Sequence, residues 1–237
     1  MKAKRRFFPD IKRNYQLYLL SLPAFLYFII FHYGPMYGIQ IAFKKFSATA
    51  GIWGSPWVGL ENFRRFWDSY HFTSILKNTL NISLYSLIVG FPIPIILAII
   101  LNELKINWLK KTTQLVTYAP HFISTVVMAG MIIIFLSKQS GIVNQFISLL
   151  GFEKVSFLDN PNWFDDIYVW TGIWQGAGWG SIIYLSALTS VPIEYYEAAK
   201  IDGTTRLQKI FYIDIPCIMP TATILLILNA GRIMSVG

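Results

Sequence analysis

Apolar residues gather along this chain in blocks too long and too continuous for the alternating or one-sided patterns of water-soluble strands and helices. A helix crossing roughly 30 Å of hydrocarbon needs about 20 mostly apolar residues. Four stretches qualify, at about 17–41, 78–101, 115–136 and 167–188, and a fifth starts near 220 and is still apolar at Gly237. The pattern predicts an all-α, polytopic transmembrane helical bundle over 17–237, preceded by a basic tail at 1–16. Pro23, Pro35, Pro92, Pro94 and Pro120 lie inside or beside the spans. Proline frees backbone carbonyls, which in hydrocarbon must be satisfied by neighbouring helices, so a packed bundle is expected.

Composition sharpens this. Of 237 residues 54% are hydrophobic and 14% charged, against about 45–50% and about 25% in a soluble domain. Mean hydropathy is +0.49, and the 16% aromatic content excludes a disordered chain. A single Cys217 excludes a disulfide framework, and no Cys/His run has metal-ligand spacing.

The net charge of +8 bears first on topology. Segment 1–16 holds six Lys and Arg, loop 102–114 three and loop 189–219 three, against four in loop 42–73 and two in loop 137–166. Positive charge collects on the cytoplasmic side, which puts the N-terminus and loops 102–114 and 189–219 there. No basic stripe is concentrated in one folded segment, so nucleic acid is not an expected partner. Lys2, Lys4, Arg5 and Arg6 ahead of Leu17–Phe31 look like the start of a secretory signal. The small-residue site Ala48-Thr49-Ala50 lies too far downstream for cleavage, and the first span is expected to be retained.

Loop 189–219 is the most specific part of the sequence. Glu197-Ala198-Ala199-Lys200 favours helix, Asp202-Gly203 stops it, and Thr204 or Thr205 can cap a second helix that carries Leu207, Ile210, Phe211 and Ile215. Ala198 and Ala199 leave a slim face suited to a groove on another protein. The segment resembles the EAA loop of bacterial ABC importer permeases, on Glu197, Ala198, Ala199, Asp202, Gly203, Ile213, Pro216 and Pro220. It departs from the usual pattern at Thr204, Ile210 and Ile215. Gly34-Pro35-Met36-Tyr37-Gly38, Val58 to Phe63, Asn78-Thr79-Leu80 and Pro120 to Ser124 extend the likeness to the permease subgroup assigned to oligosaccharide or polysaccharide import.

The resemblance implies the type I importer permease fold of six core spans, about five of them present here, with a further span expected beyond residue 237. It also implies a bacterial cytoplasmic-membrane protein working with a second homologous permease, two ABC ATPase subunits and an extracytoplasmic solute-binding protein. ATP and Mg would be bound by the ATPase, and this chain would hold no cofactor and no metal. Glu197 would then pair with a basic group of the ATPase, Ala198 and Ala199 would permit close approach, and Asp202-Gly203 would hold the bend.

Substrate contacts are less sharply marked. Gly172, Gly176 and Gly180 form a small-residue ridge that suits helix packing. Another face of that span carries Tyr168, Thr171, Gln175, Trp179 and Ser186, and Asn78, Asn81 and Tyr85 form a shorter polar stripe. Polar groups avoid lipid, so these faces point into the bundle or a wet cavity. Gln175, Trp179, Asn81 and Tyr85 are candidates for a sugar path or for contacts between helices. Arg232, about 18 Å along a helix from Pro220, is a candidate for attracting an anionic sugar, for the outer vestibule or for snorkelling to lipid head groups. His121 is assigned no chemistry. Segment 59–70 is helix-like, with Leu60, Phe63, Phe66 and Trp67 on one face that suits either the solute-binding protein or the membrane interface.

Two other classes compete. A membrane-embedded enzyme needs a nucleophile with its base, paired carboxylates or a metal cluster, and the predicted spans hold no Asp or Glu. An ion-coupled secondary transporter usually carries intramembrane carboxylates or an inverted repeat. Neither pattern occurs. There is no catalytic set, and no phosphate-binding glycine loop that would let this chain hydrolyse ATP itself.

Overall fold

Proline sets the shape of the first apolar helix. Residues 13–235 are described by the computed structural model, so most of the basic tail expected at 1–16 lies outside the described residues. The chain forms two compact units, one ending at Ser74 and the other beginning at Ile75. In the first, α1 (Tyr15–Phe28) continues through a π-turn at Ile29–Tyr33 and a 3-10 stretch at Tyr37–Phe43. Pro35 cannot donate to the carbonyl four residues back, and the turn ahead of it is the one that widens. The helical run Tyr15–Phe43 is long and apolar enough to cross a membrane, and no side chain in its apolar window is buried.

Past α1 the chain makes a tight turn. Lys44 pairs antiparallel with Trp57. The buried Lys44 ammonium donates to the Ile52 carbonyl at 2.7 Å and lies 4.9 Å from the Trp57 ring centre. Two short helices follow, α2 (Gly51–Gly54) and α3 (Glu61–Trp67). Asn62 ties α3 to the end of the first span by donating to the Ala42 and Lys44 carbonyls at 3.0 and 2.9 Å. The apolar face predicted for segment 59–70 is present and exposed at Leu60, Phe63, Phe66 and Trp67, and the Phe63 ring also contacts Phe43.

The second span is α4 (Tyr70–Gly90) running into α5 (Pro92–Glu103), together long and apolar enough to cross a membrane. The stretch 115–136 is not the single straight span that its apolarity predicts. It is split between α6 (Asn107–Tyr118), extended by a 3-10 turn to Phe122, and α7 (Thr125–Leu136), which meet at 104°. Pro120 and Ser124 explain the break. The proline cannot continue the ladder, and Ser124 starts a new helix by accepting from the Val127 N–H at 3.4 Å. A surface helix, α8 (Ile142–Leu149), follows. The fully buried Asn144 fastens it by donating to the carbonyls of Ser137 and Val155 and accepting from the Val155 N–H.

The 26-residue α9 (Phe164–Thr189) is the centre of the second unit. It is long enough to span but is less apolar than the three strongest candidates. Its position explains its composition, because α9 faces protein on several sides and buries Val169, Gly178, Ser181, Tyr184, Leu185 and Leu188. Its core contacts are Ala98 and Leu101 on α5 and Ile218 and Ala222 on the last helix. Small residues let backbones approach here, as helix association in lipid requires.

After α9 come α10 (Ile193–Ile201), α11 (Arg206–Lys209), a π-turn at Ile210–Asp214 and α12 (Ile215–Ala230). The expected start of the last span near 220 is displaced, because helix runs without a break from Arg206 to Ala230. Pro216 cannot donate to the helical ladder, and the π-turn sits directly ahead of it. The helix ends at Ala230, so Arg232 lies in the following turn and not on a continuing helix.

Candidate functional site

The loop between α9 and α12 is built by local rules. Gly203 takes a φ of +68°, the left-handed region that other residues enter only with strain. Its N–H donates to the Lys200 carbonyl and the Thr204 N–H to the Ala199 carbonyl, so α10 closes in a Schellman motif. Thr205, not Thr204, caps α11. Its hydroxyl accepts from the Gln208 N–H, and the Gln208 side chain accepts from the Thr205 N–H, which completes a capping box.

Helical spacing then sorts α10 into two faces. Glu194, Glu197, Ala198 and Ile201 share the exposed face, and Asp202 and Gly203 are exposed beyond it. Ile201 is 86% exposed and Leu207 68%, so the tip of the loop presents apolar side chains outward among the described residues. The two alanines part company. Ala198 belongs to the outer face, whereas Ala199 is buried against its own chain, so the slim outer surface rests on Ala198 alone.

The inner face of α10 carries Tyr196, which joins a cluster of charged groups. Its hydroxyl donates to Asp214 Oδ1 at 2.7 Å. Asp214 is fully buried at the end of the π-turn, and its Oδ2 has no hydrogen-bond partner. Lys209 Nζ is ion-paired with Glu103 at the end of α5, stands 3.9 Å from Asp214 Oδ2, and lies 5.2 Å from the Tyr196 ring centre. Burial, and after it the hydrogen bond to Asp214, holds the Tyr196 phenol far above its ordinary range.

A second feature is a cavity of about 1320 Å³ in the unit from Ile75 onward, walled by α4, α5, α7, α9 and α12. Gln175, Trp179 and Arg232 line it. Asn81 and Tyr85 are not among its lining residues. Tyr85 instead clamps α4 to α9, donating to Asp166 Oδ1 at 2.6 Å and accepting from the Trp170 indole at 3.0 Å. Trp179 is stacked on His121 at 4.6 Å with planes 4° apart, and Gln175 Nε2 donates to the Ile123 carbonyl at 2.8 Å. Among the described lining residues one is basic, Arg232, and one acidic, Asp159.

The glycine ridge divides in the same way. Added side-chain carbons at Gly172 and Gly176 would meet nothing within 4 Å, and both line the cavity; only Gly180 packs, against Pro94. Helices approach closely at Gly178, where such a carbon would collide with the Thr117 carbonyl of α6.

Residues 90–235 match the family described as binding-protein-dependent transport system inner membrane component. The chain belongs to that family. It is 42% identical over 236 residues to the polygalacturonan/rhamnogalacturonan transport system permease protein YteP of Bacillus subtilis (strain 168), covering 100% of this chain and 73% of that protein. It is 40% identical over 227 residues to LplB of the same organism, covering 96% and 71%. Among solved structures it is similar to a bacterial ABC transporter involved in the import of the acidic polysaccharide alginate, with a TM-score of 0.89 and 43% identity over 98% of this chain and 78% of that one. A further match, at 42% identity and a TM-score of 0.89 over 98% and 77%, is to that alginate transporter in complex with an alginate pentasaccharide-bound periplasmic protein.

In this inner membrane component the sequence reading missed the Tyr196, Asp214, Lys209 and Glu103 cluster. A signal existed. Asp214 is a lone carboxylate in the apolar run Ile210 to Ile215, and such a residue is a functional candidate by default. Starting the last span at 220 placed it in a loop and hid it. Gly178 carried no signal, because its role depends on where α6 lies.

Proposed function

We propose that this chain is the membrane-spanning permease subunit of an ATP-driven importer of oligosaccharides, and that acidic sugar chains are its substrate class. The exposed face of α10 carries the reading. Glu197, Ala198, Ile201, Asp202 and Gly203 form a capped, outward-facing helix end whose apolar tip is exposed among the described residues. That is the surface a separate ATPase subunit would receive in a cleft. ATP and its Mg would be held there, so this chain transports without catalysing. On this reading the side bearing α10 and the N-terminus faces the cytoplasm, and a second permease and an extracytoplasmic solute-binding protein complete the complex. The similarity to permeases named for polygalacturonan and for acidic alginate supports the substrate class, as does Arg232 on the cavity wall.

The test is sugar-stimulated ATP hydrolysis by the full transporter in proteoliposomes, comparing wild type with Gly203→Pro. Proline fixes φ near −65° and removes the N–H that closes α10, so it cannot occupy a site at +68°. Stimulation should vanish while the solute-binding protein keeps its sugar affinity. Full stimulation in the variant would reduce the loop to a connector.

A further inference from the structure

The buried cluster behind α10 has one unsatisfied group and one shared cation. Asp214 Oδ2 is enclosed without a hydrogen-bond partner, which is costly for a carboxylate oxygen. Lys209 is bonded to Glu103, yet its ammonium stands only 3.9 Å from that same Oδ2. A charge-assisted hydrogen bond forms at about 2.7–2.9 Å, so a movement of about 1 Å would bring the ammonium onto Asp214. The two carboxylates belong to different elements. Glu103 ends α5, while Asp214 sits at the root of α12 and is held by Tyr196 from α10.

We propose that Lys209 is a two-position residue that exchanges between Glu103 and Asp214 when α10 is displaced, so that motion of the coupling helix is passed to α5 and α12. This rests on α10 being the ATPase-docking element. Tyr196 is the lever: its hydroxyl moves Asp214 with α10, and its ring lies beside the Lys209 ammonium. In one position Lys209 ties α11 to α5; in the other it satisfies the buried carboxylate and releases the end of α5. All four groups lie in one unit of the chain.

The experiment uses the full transporter in proteoliposomes and reads the ratio of sugar-stimulated to sugar-independent ATP hydrolysis. Glu103→Gln weakens one position and Asp214→Asn the other, so an exchanging lysine predicts that the ratio moves in opposite directions, each at least threefold. A static structural cluster would move both the same way or neither, and either result overturns the proposal. Should Asp214→Asn fail to assemble, Glu103→Gln is compared in wild-type and Lys209→Met backgrounds, since both side chains are partly solvated. The effect of Glu103→Gln must disappear without the lysine; an unchanged, additive effect overturns the proposal. Ile201→Asp, on the outer face, separates the two readings. If it leaves ATPase co-purification intact, the docking role of α10 fails; if it abolishes co-purification while the Glu103 and Asp214 variants match wild type, only the exchange fails.

Discussion

Gln175 of α9 donates to the Ile123 carbonyl at 2.8 Å, across the break where α6 and α7 meet at 104°. A bend of that size in a membrane leaves carbonyls without helical partners, and one interior side chain from the central helix supplies a donor. Gln175→Leu keeps the volume and removes the donor. The half-buried carbonyl then goes unpaired, at about 1 kcal/mol, which lowers the melting temperature of the purified protein by about 2–4 °C. A raised KM for sugar with an unchanged melting temperature would make Gln175 a substrate contact instead.

Gly178 and Gly176 differ by two positions and should differ sharply on substitution. At Gly178 a methyl group meets the backbone carbonyl of Thr117, which cannot rotate away, so α9 and α6 must separate. Gly178→Ala should destabilise the protein by about 1–3 kcal/mol and reduce the yield of assembled transporter. Gly176→Ala adds a methyl group to an open cavity wall and should leave assembly unchanged. Equal yields for the two variants would show that the α6–α9 approach is looser than the structure has it.

Much of this was legible in the chain, for identifiable reasons. Apolar run length located the apolar helices because lipid imposes it, though not the break in 115–136 or the start of the last one. Asp202-Gly203 marked the end of α10, and of the two threonines offered as the next cap Thr205 is the one used, because caps are local chemistry. What required the fold was whatever depends on a neighbour. Four-residue spacing gave packing to Gly176 and passed over Gly178, the reverse of what α6 imposes, and nothing in the sequence separates Ala199 from Ala198 until the loop itself is placed beside them. The break at Pro120 was visible as a proline, but its 104° turn depends on Ser124 starting a fresh helix. On sequence, Gln175 and Trp179 suited a sugar path and contacts between helices equally well. The structure brings both to the cavity wall, yet engages one with a backbone carbonyl and the other with His121.

Arg232 tests the substrate class. It lies on the cavity wall in the turn after α12, and a guanidinium there favours carboxylate-bearing sugars by charge and by its paired donors. Arg232→Gln should raise the KM for an acidic oligosaccharide about tenfold and change that for a neutral one of equal length less than twofold, measured as stimulated ATP hydrolysis. Equal losses for both sugars would assign Arg232 to structure, and acidic specificity would have to reside elsewhere.

The Tyr196 phenol gives the cluster behind α10 a pH signature. Its pKa is raised above the ordinary 10.0, first by burial and then by the hydrogen bond to Asp214. The folded protein therefore keeps a proton that the unfolded chain releases as pH rises past that value. A raised pKa means stability that is fully present below the unfolded value and is lost as pH climbs toward the folded one. Tyr196→Phe has no such proton. At pH 8 the variant should be less stable by about 1–2 kcal/mol, the hydrogen bond being absent. Above pH 10 wild type should lose its advantage at up to about 1.4 kcal/mol per pH unit, so the two unfolding curves converge by about pH 11. The measurement is denaturant unfolding of both proteins in detergent at several pH values between 8 and 11. Tyr184 and the other tyrosines are common to both proteins and cancel in the difference. A gap that stays constant through pH 11 would mean that the phenol is not sequestered, and that Tyr196 does not hold Asp214 as the structure shows.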